Sequence, residues 1–448
     1  MAPVVVVGGG LAGIAAAVAL ADAGRRVCLV EKRATLGGRA GSFVGRGATE
    51  PLDSSQHVLM GCCTNQRDLY RRLGISHHIA WHDRLVLRAA DGNAGVFRSC
   101  ALPPPLHLLP GLLALPGLTV RDRLLLATAF GRMAFAARRS ERLDHLTFAQ
   151  WLGRTTSPTL DRGFWRLMLT SVLNADADQA SAAAGLMFFL DGLMRHRDAF
   201  TLGVPRVPLS VLHHDAVLAH LAKQDAEVRL RATARVVPTA AGPRVWIDGA
   251  ETSASAAVVA VRWTQLGRVL PRAAARALAA PAVERLRGEA IVGLHLWFAE
   301  PVTSAPVTGL LAQDVDWVFA SEGGRRLSVA VSAAEGWRGL SRVALVERCL
   351  TALRRLWPDL PAPLRAVACR EGEATFVPAP GLAALRPAQR TPWPGVALAG
   401  AWTRTGWPAT QEGAVRSGYL AAEALLGQPV LAPDLPAQGL LRLVGPTC

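Results

Sequence analysis

Lysine is almost missing from this 448-residue chain: Lys32 and Lys223 are the only two among 49 basic residues, so 47 are arginine. Tyrosine is as scarce, with Tyr70 and Tyr419 alone. There is no basic stripe interleaved with aromatics, and no nucleic acid partner is expected. The formal charge of +15 loses much of its meaning for the same reason, because arginine in place of lysine beside abundant alanine is what GC-rich coding produces. An anionic membrane surface is the other partner the charge suggests. The seven cysteines (Cys28, Cys62, Cys63, Cys100, Cys349, Cys369 and Cys448) are odd in number and form no CxxC. That argues against a disulfide framework or a zinc site, and no metal is expected. A reducing compartment follows, and the cytoplasm is the expected location. The first apolar stretch begins at Pro3 without a basic lead-in, so no signal peptide is expected. That stretch, Pro3 to Ala21, is long enough to imitate a membrane span, but its glycines speak against one. Ala101 to Val120 is also uncharged, yet its five prolines make a spanning helix implausible. What is present is apolar: 51% hydrophobic against 19% charged residues, with mean hydropathy +0.25, enough to fill a sizeable core.

Val4 to Val7 is a continuous β-branched run of the kind that forms a strand buried on both faces. It leads into Gly8-Gly9-Gly10-Leu11-Ala12-Gly13 and an alanine-rich helical stretch from Ile14 to Ala23, closed by Gly24. Arg26 to Val30 reads as a second strand ending at Glu31 and Lys32. A GxGxxG turn between strand and helix, with an acid at the end of the next strand, is the dinucleotide fingerprint. Gly8 permits the tight turn, Gly10 lets backbone approach a pyrophosphate, and Gly13 lets helix pack on strand. Leu11 and Ala12 open the helix whose N-terminus faces the phosphates, and Glu31 can accept from ribose hydroxyls. Gly37-Gly38-Arg39 adds a small-residue turn with an arginine beside the pyrophosphate, which suits a long cofactor threaded into the protein. A plain glycine turn with a surface arginine is the simpler reading of those three residues.

Near the other end, Val396 to Gly400 reads as a buried strand. Trp402, the turn Thr405 to Pro408, and a helix beginning near Gln411 follow. Small residues at that helix start (Gly413, Ala414, Gly418) would let it approach a flat, rigid group such as a flavin ring. Together the two ends resemble the flavin-containing amine oxidase and phytoene desaturase superfamily. Within it, Asp53-Ser54-Ser55-Gln56-His57-Val58-Leu59-Met60-Gly61 resembles the D-x-G-Q-H-x-x-x-G loop of the squalene-associated FAD-dependent desaturases. These are the hydroxysqualene dehydroxylases of bacterial squalene and hopanoid synthesis. Phe164-Trp165, Leu173-Asn174, Gly203-Val204-Pro205 and Gly406 to Ala414 are similar to the same family. The resemblance implies FAD as cofactor. It also implies an α/β fold, with a Rossmann-type FAD-binding domain interleaved with an α+β substrate domain, and places Val236 against the adenine. Gly400, Ala401, Glu412, Gly413 and Ala414 would then lie at the flavin, with Glu412 fixing either the loop or the ring. Two departures stand out. Ser55 replaces a glycine, and Ala401 replaces an acid that binds the ribityl chain, at a cost of about 1–3 kcal/mol if the hydroxyl goes unpaired.

The expected division is FAD-binding in 1–95, a helical substrate- or membrane-facing part in 96–205, and FAD-binding again in 206–289. A substrate-domain sheet in 290–375, FAD-binding closure in 376–430 and a tail in 431–448 complete it. From Arg98 to Arg142 there are seven arginines against Asp122 and Glu141, and Arg121 to Arg139 reads as an apolar helix between basic ends. That suits either a protein resting on the inner face of an anionic membrane or a helix buried against the sheet. Met187 to Leu190, Leu193 and Met194 could line a tunnel or simply form core. His77, His78, His82, His213 and His214 read as surface or loop residues.

A single dinucleotide fingerprint and no redox dithiol mean that electrons must come from an external donor. Amine oxidation is disfavoured, because no lysine occurs in 285–300 and the C-terminal turn lacks tyrosine. For a dehydroxylase, the resemblance implies that an allylic hydroxyl leaves as water once protonated and that reduced flavin supplies hydride. Asp53 and His57, four apart on one loop, are the candidate acid pair. The substrate would be a long-chain isoprenoid, hydroxysqualene, reduced to squalene. A carotenoid-type desaturase running the flavin in the opposite direction is the alternative enzyme, and a non-catalytic isoprenoid-binding protein is the alternative of another class.

Overall fold

The computed structural model describes residues 2–44, 50–136 and 141–444. Strand β1 (Val4–Val7), helix α1 (Leu11–Asp22) and strand β2 (Val27–Glu31) form the expected βαβ unit. β1 is the centre of a five-stranded parallel sheet. β2 and then Glu227–Leu230 lie on one side, and Ala256–Val259 and then Val396–Leu398 on the other. Strands from three distant stretches of chain thus build one nucleotide-binding sheet. Helix α1 is buried almost throughout because the sheet covers one side and the helix Gln411–Leu426 the other. The two helices meet at small residues: a Cβ on Gly418 would lie 2.2 Å from the Ala12 carbonyl oxygen. Gly418 therefore serves helix packing and not a flavin ring.

The run Val228 to Val237 is divided between two strands. Arg231 takes a left-handed φ of 55°, which breaks the run. Glu227–Leu230 stays in the parallel sheet, while Ala234–Thr239 starts a three-stranded antiparallel meander. The second domain is built on a seven-stranded mixed sheet. Its order is Arg365–Phe376, Gly288–Trp297, Arg326–Val331, Trp317–Ser321, Val307–Leu310, Arg84–Arg88 and Ala94–Arg98. Of the last two strands, Arg84–Arg88 lies in the stretch assigned from sequence to the first FAD-binding part, and Ala94–Arg98 straddles its end at residue 95. Arg84–Arg88 instead pairs in parallel with Val307–Leu310, so its Leu85 and Leu87 reach the core of the second domain.

Between residues 102 and 200 the chain is mainly helical and packs on this sheet around an aromatic cluster. Phe130, Phe148, Phe164, Trp165 and Phe189 have ring centroids 5.0–6.4 Å apart. The helix expected over Arg121 to Arg139 runs Val120–Ala134, and Arg138, Arg139 and Cys448 lie outside the described residues. The segment from 431 to 444 docks along its length: the Ala432 amide donates to Asn65, the Leu440 amide donates to the Pro104 carbonyl, and Leu441 is buried. Among the described residues no helix is long and apolar enough to cross a membrane.

Candidate active site

One cavity of about 730 Å³ runs from the GxGxxG turn, between the two domains, to an aromatic chamber. At the nucleotide end Gly8 has φ +110°, and a Cβ there would meet the Ala260 carbonyl oxygen at 2.5 Å. A Cβ on Gly13 would lie 1.8 Å from the Gly8 oxygen, so that glycine serves packing and does not line the cavity. A Cβ on Gly10 would meet nothing within 4 Å, because the backbone there opens into the cavity, as a pyrophosphate requires. Leu11 and Ala12 continue that wall into the helix. Glu31 is held by two amides, with Gly9 N–H on Oε2 at 2.6 Å and Arg33 N–H on Oε1 at 2.8 Å. Both oxygens keep a lone pair for a ribose hydroxyl. Lys32, Gly38 and Arg39 also line the cavity.

Arg39 donates to the Ala374 carbonyl at 2.6 Å, and burial beside Arg262 pushes its pKa down to about 10. It stays cationic near neutrality and fits a diphosphate. Val236 does not reach the cavity: its side chain is fully buried in the core beneath the meander, and Ala232, Thr233 and Ala234 stand at the wall in its place.

The turn that carries Arg39 is held from behind by two histidines that the sequence had suggested were surface or loop residues. His213 is fully buried, with Nδ1 2.6 Å from the Ala40 carbonyl and Nε2 2.8 Å from the Tyr70 hydroxyl. His214 Nδ1 accepts from the Leu36 amide at 3.2 Å. Burial pushes the His213 pKa down to about 4. The unfolded chain therefore binds a proton that the folded chain refuses between pH 6.5 and 4. Stability present above pH 6.5 should fall on acidification through that window by about 1.4 kcal/mol per pH unit. Flavin release in acid titrations should follow this window, and His213→Gln should flatten the slope measured by denaturant unfolding.

The loop from Ser54 to Val58 crosses the middle of the cavity. Ser54 Oγ donates to the Arg39 carbonyl at 3.1 Å, and the Val58 carbonyl accepts from Gln411 Nε2 at 3.4 Å. From the substrate sheet, His295 Nε2 lies 2.9 Å from the Asp53 carbonyl. Ser55, Gln56 and His57 line the cavity, but Asp53 does not. The Asp53 carboxylate accepts from Ser42 Oγ at 2.7 Å and from the Leu209 amide at 3.0 Å. Asp53 thus braces the loop, and the expected acid pair comes apart. His57 Nδ1 lies 2.9 Å from the Ser55 carbonyl, which makes Nδ1 the protonated nitrogen of the neutral ring. Among the described residues Nε2 makes no hydrogen bond, and His57 lines the cavity. Burial holds the His57 pKa below the usual histidine value, against the pull of the Ser55 carbonyl and Asp53.

At the C-terminal side, Gly400, Ala401, Glu412 and Ala414 line the cavity. Glu412 is fully buried, and its carboxylate accepts from the Asn65 and Gln66 amides at 3.2 and 2.8 Å. It caps the helix Thr64–Arg72 and so ties the loop's end to Gln411–Leu426. Burial raises its pKa. Gly413 is off the cavity, because a Cβ there would meet the Pro408 carbonyl at 2.3 Å. Ala401 offers no side-chain acceptor, and its carbonyl is held by Arg386 at 2.8 Å.

Beyond the loop the wall is apolar. Phe97, Met187, Phe188, Phe200, Trp317 and Phe319 enclose the chamber, and Phe97 meets Phe200 edge-on at 5.9 Å. Phe189, Leu190 and Met194 of the suspected tunnel stretch are core instead. Phe97, Phe200 and Trp317 had no signal in sequence, since they come from three separate elements. Cys62 and Cys63 also stand at the wall, and Cys62, hydrogen-bonded to Cys63, is raised well above the usual thiol pKa and stays protonated. Asp316, pushed up to about 6 by burial, is turned away from the chamber toward Arg166 at 3.0 Å and the Ser332 amide at 2.6 Å.

A Rossmann-type sheet whose glycine turn opens through a polar loop into an aromatic chamber defines a two-domain flavoprotein oxidoreductase. The chain belongs to the flavin containing amine oxidoreductase family, whose model matches residues 11–426, and it is an FAD-dependent enzyme. It is 29% identical to a hydroxysqualene dehydroxylase of Rhodopseudomonas palustris, covering 94% of this chain and 97% of that one. It is 26% identical to the 15-cis-phytoene desaturase of Narcissus pseudonarcissus, covering 94% and 79%. In fold it is similar to a putrescine oxidase bound to putrescine, with TM-score 0.72, 18% identity and coverage of 95% and 99%.

Proposed function

We propose that the protein reduces hydroxysqualene to squalene, removing one allylic hydroxyl, with electrons delivered by an external donor. The observation that carries this reading is the chemistry of the chamber wall. Aromatic side chains line it, and the polar Ser55-Gln56-His57 segment is set into it next to the nucleotide end. A long hydrocarbon with a single hydroxyl satisfies both parts. Within the segment His57 Nδ1 already pairs with the Ser55 carbonyl and Gln56 Nε2 with the His57 carbonyl, so what a pure hydrocarbon would leave without a partner is the His57 Nε2 atom, and an unpaired buried group costs about 1–3 kcal/mol. FAD, when bound and reduced, supplies the hydride. The chain supplies the rest. The chamber desolvates and orients the substrate, and His57 Nε2 is the atom from which a proton can pass to the departing hydroxyl. Ser55 fixes the ring, and the bond from His295 fixes the loop.

A desaturase acting on a phytoene-like isoprenoid is the second reading. It is favoured by the desaturase relatives and by a His57 held neutral, ready to accept a proton. The two run in opposite redox directions, so one experiment separates them. Holoenzyme reduced anaerobically with dithionite should be reoxidised on adding hydroxysqualene, with squalene detected by mass spectrometry. Reduced flavin that persists with hydroxysqualene, while oxidised enzyme is reduced by phytoene, would overturn the dehydroxylase reading. The long isoprenoid also makes an anionic bilayer the natural source of substrate.

A further inference from the structure

The outer side of the helical part is apolar where solvent-facing helices are normally polar. On Val120–Ala134, the inner stripe of Leu126, Ala129, Phe130 and Met133 is buried, as expected. The opposite side, however, carries Val120 at 75% exposure and Leu124 at 64%, and Phe135 follows at 76%. The preceding stretch adds exposed Leu102, Leu106, Leu109 and Leu113. Arg123 joins the two stretches into one face, because its guanidinium donates to the Leu113 and Leu115 carbonyls. Charge on this face has one sign. Arg121 and Arg132 are exposed, whereas Asp122, the single acid between residues 98 and 136, is buried against Thr119 and Ser157. The face also lies one side chain from the chamber: a Cβ on Gly111, within the helix Leu109–Leu113, would sit 3.0 Å from the ring of Phe97.

We propose that this face docks on an anionic phospholipid bilayer, and that the aromatic chamber is loaded from that side. Docking stands on the surface alone. Loading rests on the long-isoprenoid reading above. Exposed leucine, valine and phenylalanine enter the acyl boundary, while arginines at the rim meet phosphates. A partner protein or a second copy of the chain would be the other way to cover the face, and the test includes both.

Full-length holoenzyme is mixed with phosphatidylcholine vesicles, with and without phosphatidylglycerol, and the bound fraction is read by co-sedimentation. Binding should require phosphatidylglycerol and weaken with salt. Leu113→Asp/Leu124→Asp should lower partitioning by about tenfold or more, and Arg121→Glu should act in the same direction. Both changes sit at exposed positions, so flavin content and turnover of micelle-borne hydroxysqualene should match wild type. Turnover of vesicle-borne substrate should fall with binding. Docking is overturned by equal binding to neutral vesicles, by unchanged binding of the double variant, or by a dimer or protein complex that the double variant dissociates. Loading is overturned if vesicle-borne substrate turns over equally in both proteins. Wild type that binds vesicles but turns over no isoprenoid in micelles either would remove the substrate reading and leave docking standing.

Discussion

Gly10→Val is expected to yield folded, soluble and colourless protein. Gly10 caps helix α1 in an extended conformation, φ −75° and ψ 173°, which any residue adopts without strain. A Cβ there meets no protein atom within 4 Å, so the substitution is expected to cost the fold little. What the branched carbons fill is the space through which a pyrophosphate must approach the helix N-terminus. Losing that approach forfeits the amide contacts and the dipole interaction at once, and about a hundredfold or greater loss of FAD affinity is expected. The visible flavin absorbance per protein after desalting measures it, with unfolding midpoints as the control for fold. Gly13→Ala offers the contrast. Its Cβ would fall 1.8 Å from the Gly8 oxygen, so the sheet and helix must separate, and that variant should lose stability together with flavin. A yellow, fully active Gly10→Val protein would remove the pyrophosphate from this turn.

The nucleotide end was legible in sequence because its determinants are local. Val4 to Glu31 holds strand, turn, helix and acid within one continuous stretch, and each residue type has one physical reason to be there. The loop from Asp53 to Gly61 was legible as a motif, but the direction of its side chains was not. Ser42 and the Leu209 amide, which claim the Asp53 carboxylate, lie 11 and 156 residues away. His213 misled for a related reason. A His-His pair followed by Asp215 reads as polar surface, and only tertiary packing against Tyr70 and Ala40 makes it a buried support of the Arg39 turn. Gly418 shows the reverse case. A small residue at a helix start suits a flavin ring and a helix backbone equally, and Ala12 settles which. The chamber was the least legible part: Met187 and Phe188 stood out as possible lining, but Phe97, Phe200 and Trp317 occupy different elements and carry no mutual spacing.

Replacing His57 with glutamine should lower turnover by about 10²–10⁴-fold, the usual worth of a positioned proton donor or acceptor, while bound flavin stays at wild-type level. Asp53→Asn should cost far less. An asparagine oxygen can still accept from Ser42 Oγ and the Leu209 amide, and Asp53 does not line the cavity. A loss of similar size in both variants would put Asp53 back among the reacting groups. The pH profile then fixes the direction of proton flow. Burial holds the His57 pKa below 6.5, so the ring is neutral at neutral pH and charges only on acidification. If His57 gives a proton to a leaving hydroxyl, kcat must rise as pH is lowered from neutral through that depressed pKa, because the charged ring is the donor. If it takes a proton during desaturation, kcat must fall over the same interval. A structural His57 would move neither limb, and the variant would lose flavin instead. The interval overlaps the window in which acidification loosens the Arg39 turn through His213, so flavin content is followed at every pH and kcat is referred to the flavin-bound fraction. A rising acid limb in wild type that is absent from His57→Gln would assign the proton to this nitrogen and the reaction to dehydroxylation.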